Sequence, residues 1–392
     1  MAEGVTTDAS NAFLLRGSPL LLAMQTSAGL LSSADGKVWM PANDASCQGA
    51  HFDWPLVPAP GGLRNFGELT HIDPTKNYTS FSAGGASVLQ PSGSAPSGVS
   101  CVAAPLNISV SGLPRAISCD PKAPRGAFGC PFRLNPGGDV LALPDGSLLL
   151  SALVYWGGAP PASAPGATSV VALRSTSGGA EWTYAGTIAD AAAYPGSKEG
   201  PNESALALLA DGATVAAVVR LDAGDGQPSH PPGPFSPYAL ATSADGGRSW
   251  VPRGLLGGAG CARPRLLAAG SGGPLLLSGG RWQVAGSSGP PDADDGGWDP
   301  RMWVNAAGDA GDFGPFLSIS YWHNALVGNA SWRFTPEVNA SHSPRQSQAY
   351  TSLVALDGGA PPSARTRRLA ITYNVGLPPN SRLFLMPFTL TW

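Results

Sequence analysis

Short apolar runs alternate with turn-forming residues along this chain, and no long stretch repeats with helical period. "PLLLAMQ", "DVLALP", "SLLLSALV", "SVVALRS", "SALALLA", "TVAAVVRL", "PRLLAAG", "PLLLSGG", "FLSISYW", "YTSLVAL", "RLAITYN" and "LFLMPFTLTW" are of strand length and bounded by Gly, Pro, Asp or Ser. Several are joined in pairs by D-G or G-G turns, as in "LALPDGSLLLSALV", "LALLADGATVAAVVR" and "LLAAGSGGPLLLSGGR". Two such hairpins in succession predict a four-stranded sheet. Residues from about 40 to 130 are less regular and yield no strand assignment. The last strand, 382–391, is expected to pair with the segment around Ala12 to Arg16, removing an exposed edge.

A second pattern is superimposed on the first. "SADGGRSW", Ser243 to Trp250, combines Ser and Asp side chains that bond nearby N–H groups, a glycine free to take positive φ, and a closing aromatic. "SSADGKVW" (Ser32 to Trp39) repeats it with the glycine one place early. "STSGGAEW" (Ser175 to Trp182) has Ser177 in the aspartate position, and "AAGDAGDF" (Ala306 to Phe313) keeps Asp309, Gly311 and Phe313. A supersecondary signature that recurs along a chain indicates a repeat architecture.

Composition supports a turn-rich β protein. The 392 residues include 52 Gly and 39 Pro, and only 12% are charged. A single propeller absorbs that length at ~65 residues for each of six blades. The net charge of −3, without a basic block, disfavours a nucleic-acid or membrane surface. No run is long enough to span a bilayer. The stretches 90–98, 157–168, 223–237 and 286–297 are rich in Gly, Pro, Ala and Ser and are read as surface loops, not domain linkers, so residues 1–392 form one domain.

The N-terminus lacks a basic start, and Arg16 interrupts its apolar part, which argues against a secretory signal. N-x-S/T sequons at Asn77, Asn107, Asn202, Asn329 and Asn339 nevertheless favour a secreted or lumenal location, with a cytoplasmic one as the alternative. Of Cys47, Cys101, Cys119, Cys130 and Cys261, the spacing allows one local disulfide among Cys101, Cys119 and Cys130. The cysteines match no zinc spacing, the histidines form no H-E-x-x-H, and "DADDGG" (Asp292 to Gly297) lacks the glutamate of a calcium loop. No metal or cofactor is therefore expected. Nothing in the sequence sets an oligomeric state.

The aspartate turns resemble the Asp-boxes of the sialidase (neuraminidase) superfamily, whose fold is an all-β, six-bladed propeller and whose boxes are structural. Three further stretches carry an active-site resemblance. "GPNESALALLADGATVAAVVR" is similar to the family segment in which an Asn-Glu pair begins a strand and an arginine ends its return, placing Glu203 and Arg220. "QAYTSLVAL" resembles the strand bearing the nucleophilic tyrosine, here Tyr350. "CPFRLNPGG" resembles the Phe-Arg-Ile-Pro start of the first catalytic blade, with Arg133 as first arginine and Asn135 where proline is usual. For the third arginine, Arg281 at the end of "LLLSGGR" is preferred over Arg301, which precedes "MWVNAAGD".

The resemblance implies an exo-glycosidase acting on terminal sialic (nonulosonic) acids of glycans. Arginines suit the sugar carboxylate through bidentate bonds. A neutral tyrosine escapes the repulsion that a carboxylate nucleophile would meet, and a glutamate can take its proton. Two positions depart from the family. The loop that should hold the acid/base aspartate, "YWGGAPPASAPGATS", has no acidic residue, and Asn374 stands where a glutamate usually supports the first arginine. The alternative is a glycan-binding propeller that kept the arginines and lost the acid; a third reading is a structural interaction propeller with its loops as the binding surface.

Overall fold

A computed structural model describes residues 11–15, 21–26, 29–33, 40–41, 47, 56–59, 62–65, 81–83, 87–92, 98–103, 108–117, 133–134, 140–154, 156, 168–197, 200–222, 237–260, 263–270, 272–280, 300–314, 316–319, 322, 325–326, 351–357, 365–375 and 382–392. Nearly all of these lie in strands or tight turns.

β1 (Asn11–Leu15), β2 (Leu21–Thr26), β3 (Gly29–Ser33) and β4 (Met40–Pro41) pair in chain order as the first sheet. Next come β5 (Leu56–Ala59), β6 (Gly62–Asn65), β7 (Phe81–Ala83), β8 (Ser87–Pro91), β9 (Val99–Ala103) and β10 (Ile108–Ser111). The second sheet has the order β5-β6-β8-β9. The third contains β11 (Arg133–Leu134), β12 (Leu141–Ala142), β13 (Leu148–Val154), β14 (Ser169–Ser175) and β15 (Glu181–Ala189). There β11 and β12 both pair with β13, and β10 and β7 extend the sheet beyond β15, with β10 parallel to it.

β16 (Gly200–Leu208), β17 (Val215–Asp222), β18 (Pro237–Ser243) and β19 (Val251–Gly260) form the fourth sheet. The fifth is β20 (Arg265–Ala268), β21 (Leu275–Gly279), β22 (Arg301–Asn305) and β23 (Phe316–Ser318). The sixth is β24 (Ser352–Ala355), β25 (Thr366–Val375) and β26 (Arg382–Thr391).

Sheets pack face to face, which explains why runs such as "TVAAVVR" are apolar without alternation. On β17, Val215, Ala217 and Val219 enter the core shared with Leu149 and Val170 of the third sheet, whereas Ala216 and Val218 enter the core shared with Leu275, Leu277 and Trp303 of the fifth. Leu276 and Met302 in turn meet Leu369, Ile371 and Tyr373 of the sixth.

The aspartate turns explain their own sequence. In the turn after β18, the Ser243 hydroxyl accepts from Gly247 N–H (2.8 Å), and Asp245 accepts from Arg248 N–H (3.0 Å) and Ser249 N–H (2.9 Å). The Trp250 indole donates back to the Gly247 carbonyl (3.0 Å). The turn after β14 repeats this with Ser177 in place of aspartate: Glu181 N–H donates to its hydroxyl (2.7 Å), and the Trp182 indole donates to Gly179 (2.9 Å). The closing aromatic is the lid of the turn, its ring fully buried at Trp182 and partly buried at Trp250, and its one polar atom satisfied within the same loop. In the third copy, Asn305 takes the serine role and Asp309 accepts from Gly311 N–H (2.8 Å). Of the turn at Ser32 to Trp39, only Ser32 and Ser33 fall within the described residues, and both are buried.

Two expectations are corrected. The C-terminal strand β26 pairs with β25 and not with the N-terminal segment; β1 instead heads its own sheet by pairing with β2 and packs beside β24. The first and last sheets therefore meet through β1 and β24, the opening strand of each, and β26 stays within its own sheet. Cys101 is bonded to Cys47 across 54 residues, so the disulfide is not the local one that spacing suggested. Cys119, Cys130 and Cys261 lie outside the described residues.

Candidate functional site

Hydrogen bonds between neighbouring sheets define two ends of the array. At one end, the Thr168 hydroxyl before β14 donates to the Pro201 carbonyl at the start of β16 (2.8 Å). Gly260 N–H at the end of β19 donates to the Gly280 carbonyl (3.2 Å), Gly280 N–H donates to the Tyr238 hydroxyl (3.3 Å), and the Ser278 and Thr351 hydroxyls share a bond (2.7 Å). At the other end, Ala210 N–H donates to Gly308 (2.9 Å), Gly272 N–H to Ala210 (3.2 Å), and the Arg367 guanidinium to the Ala269 carbonyl (3.0 Å).

The connections divide accordingly. The Asp145, Asp211 and Asp245 turns lie at the second end, where hairpins close tightly. Segments 157–167, 223–236 and 281–299, and the chain between Ile319 and Thr351, all leave from strand termini at the first end. Rigid sheets with long connections gathered at one face are a usual platform for binding.

The sequence candidates fall at that first end. Arg133 in β11 pairs with Leu153, near the terminus of β13. Glu203 stands at the start of β16, Arg220 near the end of β17, and Arg301 opens β22 opposite Gly279. Thr351 immediately precedes β24; its neighbour Tyr350 lies outside the described residues, as does Arg281. The aspartate turns are remote from this end, which leaves them a structural role.

A β-bulge shapes the centre of the candidate site. Pro201 pairs with Leu221, but the next pair is Ser204 with Val219, so Asn202 and Glu203 together face Arg220. A bulge re-aims side chains that a regular ladder would send elsewhere. Here the Glu203 carboxylate accepts from the Arg220 guanidinium at 2.8 Å. The arginine side chain is 7% exposed and the glutamate 17%, so the pair is largely shielded yet retains an open edge. Asn202 is buried, and its side-chain oxygen accepts from Glu203 N–H (2.6 Å), so this sequon is occupied by the fold.

Strand alternation places three of the candidates in one layer. Arg220 follows Ala216 and Val218 on the face toward the fifth sheet, Glu203 precedes Ala205 and Ala207 on the same side, and Arg301 precedes Trp303 on the facing surface. All three head the core between the fourth and fifth sheets. Tyr238 closes that layer beneath them: a Cβ on Gly279 would collide with its hydroxyl, so glycine is required beside Arg301.

The site end also holds two buried arginines that the sequence reading passed over, Arg263 and Arg265 at the start of β20. Their only signal was position: "ARPR" sits directly before an apolar run, where a strand begins. Arg265 pairs with Ser278, which places it on the face toward the sixth sheet.

Among the described residues, no three His, Cys, Asp or Glu side chains gather as a metal site requires, and no helix is long and apolar enough to cross a membrane. Asp292 to Gly297, Asn77, Asn107, Asn329 and Asn339 lie outside those residues.

No protein family profile matches the chain, and no curated protein matches it. Solved structures do. A protein of unknown function from Dyadobacter fermentans is similar over 100% of this chain and 96% of its own, at 14% identity and a TM-score of 0.54. Trypanosoma rangeli sialidase is similar over 98% of this chain and 53% of its own, with a TM-score of 0.52, both in complex with a difluorinated keto-deoxy-nononic acid (13% identity) and with 2,3-difluorosialic acid as a covalent intermediate (12%). The chain thus spans about half the length of the trypanosomal enzyme. At such identities the likeness is one of fold: the chain is all-β and has a sialidase-like β-propeller fold.

Proposed function

We propose that the chain is a six-bladed propeller that binds and hydrolyses terminal sialic or related nonulosonic acids of acidic glycans. The observation that carries this reading is the Glu203–Arg220 pair, set by a bulge at the end of the sheets where the long connections gather. Arg220 with Arg133 and a third arginine would grip the sugar carboxylate. Arg301 is the better supported third member, since it shares a layer with Glu203 and Arg220; Arg281 is the alternative. Tyr350 would give its phenolic proton to Glu203 and attack the anomeric carbon as the aglycone leaves with the bonding electrons. Water would then release the sugar. The Cys47–Cys101 disulfide favours an oxidising, secreted or lumenal location.

One observation favours a second reading. The 157–167 connection and its flanks carry no carboxylate to protonate a poor leaving group. General-acid assistance contributes ~10²–10⁴ in rate, so a binding propeller with little turnover of natural glycosides is the alternative. An aryl sialoside, whose leaving group needs no proton, separates the two. Turnover, together with covalent labelling of Tyr350 by 2,3-difluorosialic acid, supports the enzyme. Sialic-acid binding without either supports the lectin-like reading, and no binding rejects both.

A further inference from the structure

Each of the two candidate catalytic residues is followed in sequence by a fully buried hydroxyl that bonds across to the neighbouring sheet. Ser204, after Glu203, donates to the Ser151 hydroxyl on β13 at 2.9 Å. Thr351, after Tyr350, shares a 2.7 Å bond with the Ser278 hydroxyl on β21. Ser151, Ser204 and Ser278 have no exposed surface, and Thr351 is 1% exposed. In both cases the start of an inner strand is tied to the second strand of the preceding sheet: β16 to the third sheet, β24 to the fifth.

These bonds are unusual in their setting. The first crosses a layer with Leu149, Leu206 and Val219, and the second one with Leu276, Leu353 and Ile371, where the buried Arg265 lies opposite Ser278. Apolar contacts between sheets are non-directional and tolerate sliding, whereas a buried hydroxyl pair has one good geometry and leaves an expensive orphan if it is broken. A third bond, from Thr168 to the Pro201 carbonyl, holds β16 on the other side of the bulge that carries Glu203. The bulge is thus held on both flanks.

We propose that Ser151–Ser204 and Ser278–Thr351 are positioning residues: two buried hydroxyl clasps, one between the third and fourth sheets and one between the fifth and sixth, that fix the strand starts next to Glu203 and Tyr350 and so the placement of base and nucleophile, each against the sheet before it. This rests on the sialidase reading above. A base and a nucleophile carried on different sheets are aligned only if those sheets cannot slip, and a misplacement of about 1 Å costs ~100-fold in rate.

The test uses paired variants of the full chain, Ser151→Ala with Ser204→Ala and Ser278→Ala with Thr351→Val. Removing both partners of a pair avoids the orphan that either single substitution leaves, so the thermal midpoint should move less than in the single variants. With an aryl sialoside, kcat should fall about tenfold to a hundredfold in each pair while KM stays within about twofold, because alignment is lost and carboxylate binding is not. Thr351→Ser, which keeps the hydroxyl, should restore most of kcat. Wild-type rates in both pairs, on an active wild-type background, overturn this inference alone. A fall in midpoint together with a rise in KM also overturns it, by making the clasps general supports of the fold. If the wild type neither turns over the sialoside nor labels at Tyr350, the sialidase reading itself is overturned and the assignment goes with it.

Discussion

Replacing Glu203 by Gln tests the centre of the candidate site directly. The pair is mostly shielded, with Arg220 7% and Glu203 17% exposed at 2.8 Å. Removing one member of a buried ion pair leaves the other charge uncompensated and costs about 3–5 kcal/mol. The lower end applies, since the glutamate keeps an open edge and the amide oxygen can still accept. With about 2.1 cal/mol/K of unfolding entropy per residue, the 392 residues give about 0.8 kcal/mol/K, so 3 kcal/mol lowers the midpoint by about 4 °C. Arg220→Met should cost a similar amount. The double variant should cost about as much as either single one, a coupling of about 3 kcal/mol. Thermal and urea unfolding of the four proteins at one pH provides the cycle, and added salt should alter the coupling little because the pair is shielded. Strict additivity of the single effects would show that the two groups do not depend on each other, and the site built around them would fall.

Three other outcomes follow from local geometry. The hydroxyl and N–H of Ser249, with further help from Ser243 and Arg248, lower the Asp245 carboxyl from 3.8 to about 2. A depressed carboxylate stabilises the fold fully above pH 4 and loses that contribution as pH falls toward 2. Asp245→Asn should therefore lower the midpoint at pH 7 and narrow its gap from wild type between pH 4 and 2; a constant gap would exclude this origin. Breaking the Cys47–Cys101 bond, which closes a span of 54 residues, should cost about 4 kcal/mol and lower the midpoint by about 5 °C, measured with Cys101→Ala or after reduction; an unchanged midpoint would argue that the bond does not form. Gly279→Ala places a methyl against the Tyr238 hydroxyl and should destabilise by about 1–3 kcal/mol, with partial recovery when Tyr238→Phe is added. Failure of that second change to help would assign the cost elsewhere.

Much of this architecture was legible in one dimension because its determinants are local. The D-G hairpins, the Ser-x-Asp-x-Gly turns and the closing tryptophans act over a few residues, and the bonds from Ser243, Asp245 and Trp250 are those their spacing implies. Glu203 and Arg220 came instead from the resemblance of their segment to a known family; what the local pattern contributed is the hairpin with a short turn, which brings its two ends together. Regularity was lost from about residue 40 to 130, where β7 and β10 leave their own neighbours to pair beyond β15. Such pairing depends on an edge presented by a distant segment, and no local pattern encodes it.

The order of hydrophobic and turn residues by itself determined that the chain is a series of antiparallel hairpins closed by side-chain-locked turns, because those interactions span one or two strands. Tertiary structure alone decided which hairpin ends meet. It put Arg301 in the layer with Glu203 and Arg220, buried Arg263 and Arg265 at the same end, joined Cys47 to Cys101, and matched Ser204 with Ser151 and Thr351 with Ser278. Those contacts link different sheets across 53 and 73 residues in the case of the two hydroxyl pairs. They follow from how twisted sheets stack through their apolar faces, a global property that no short window of sequence contains.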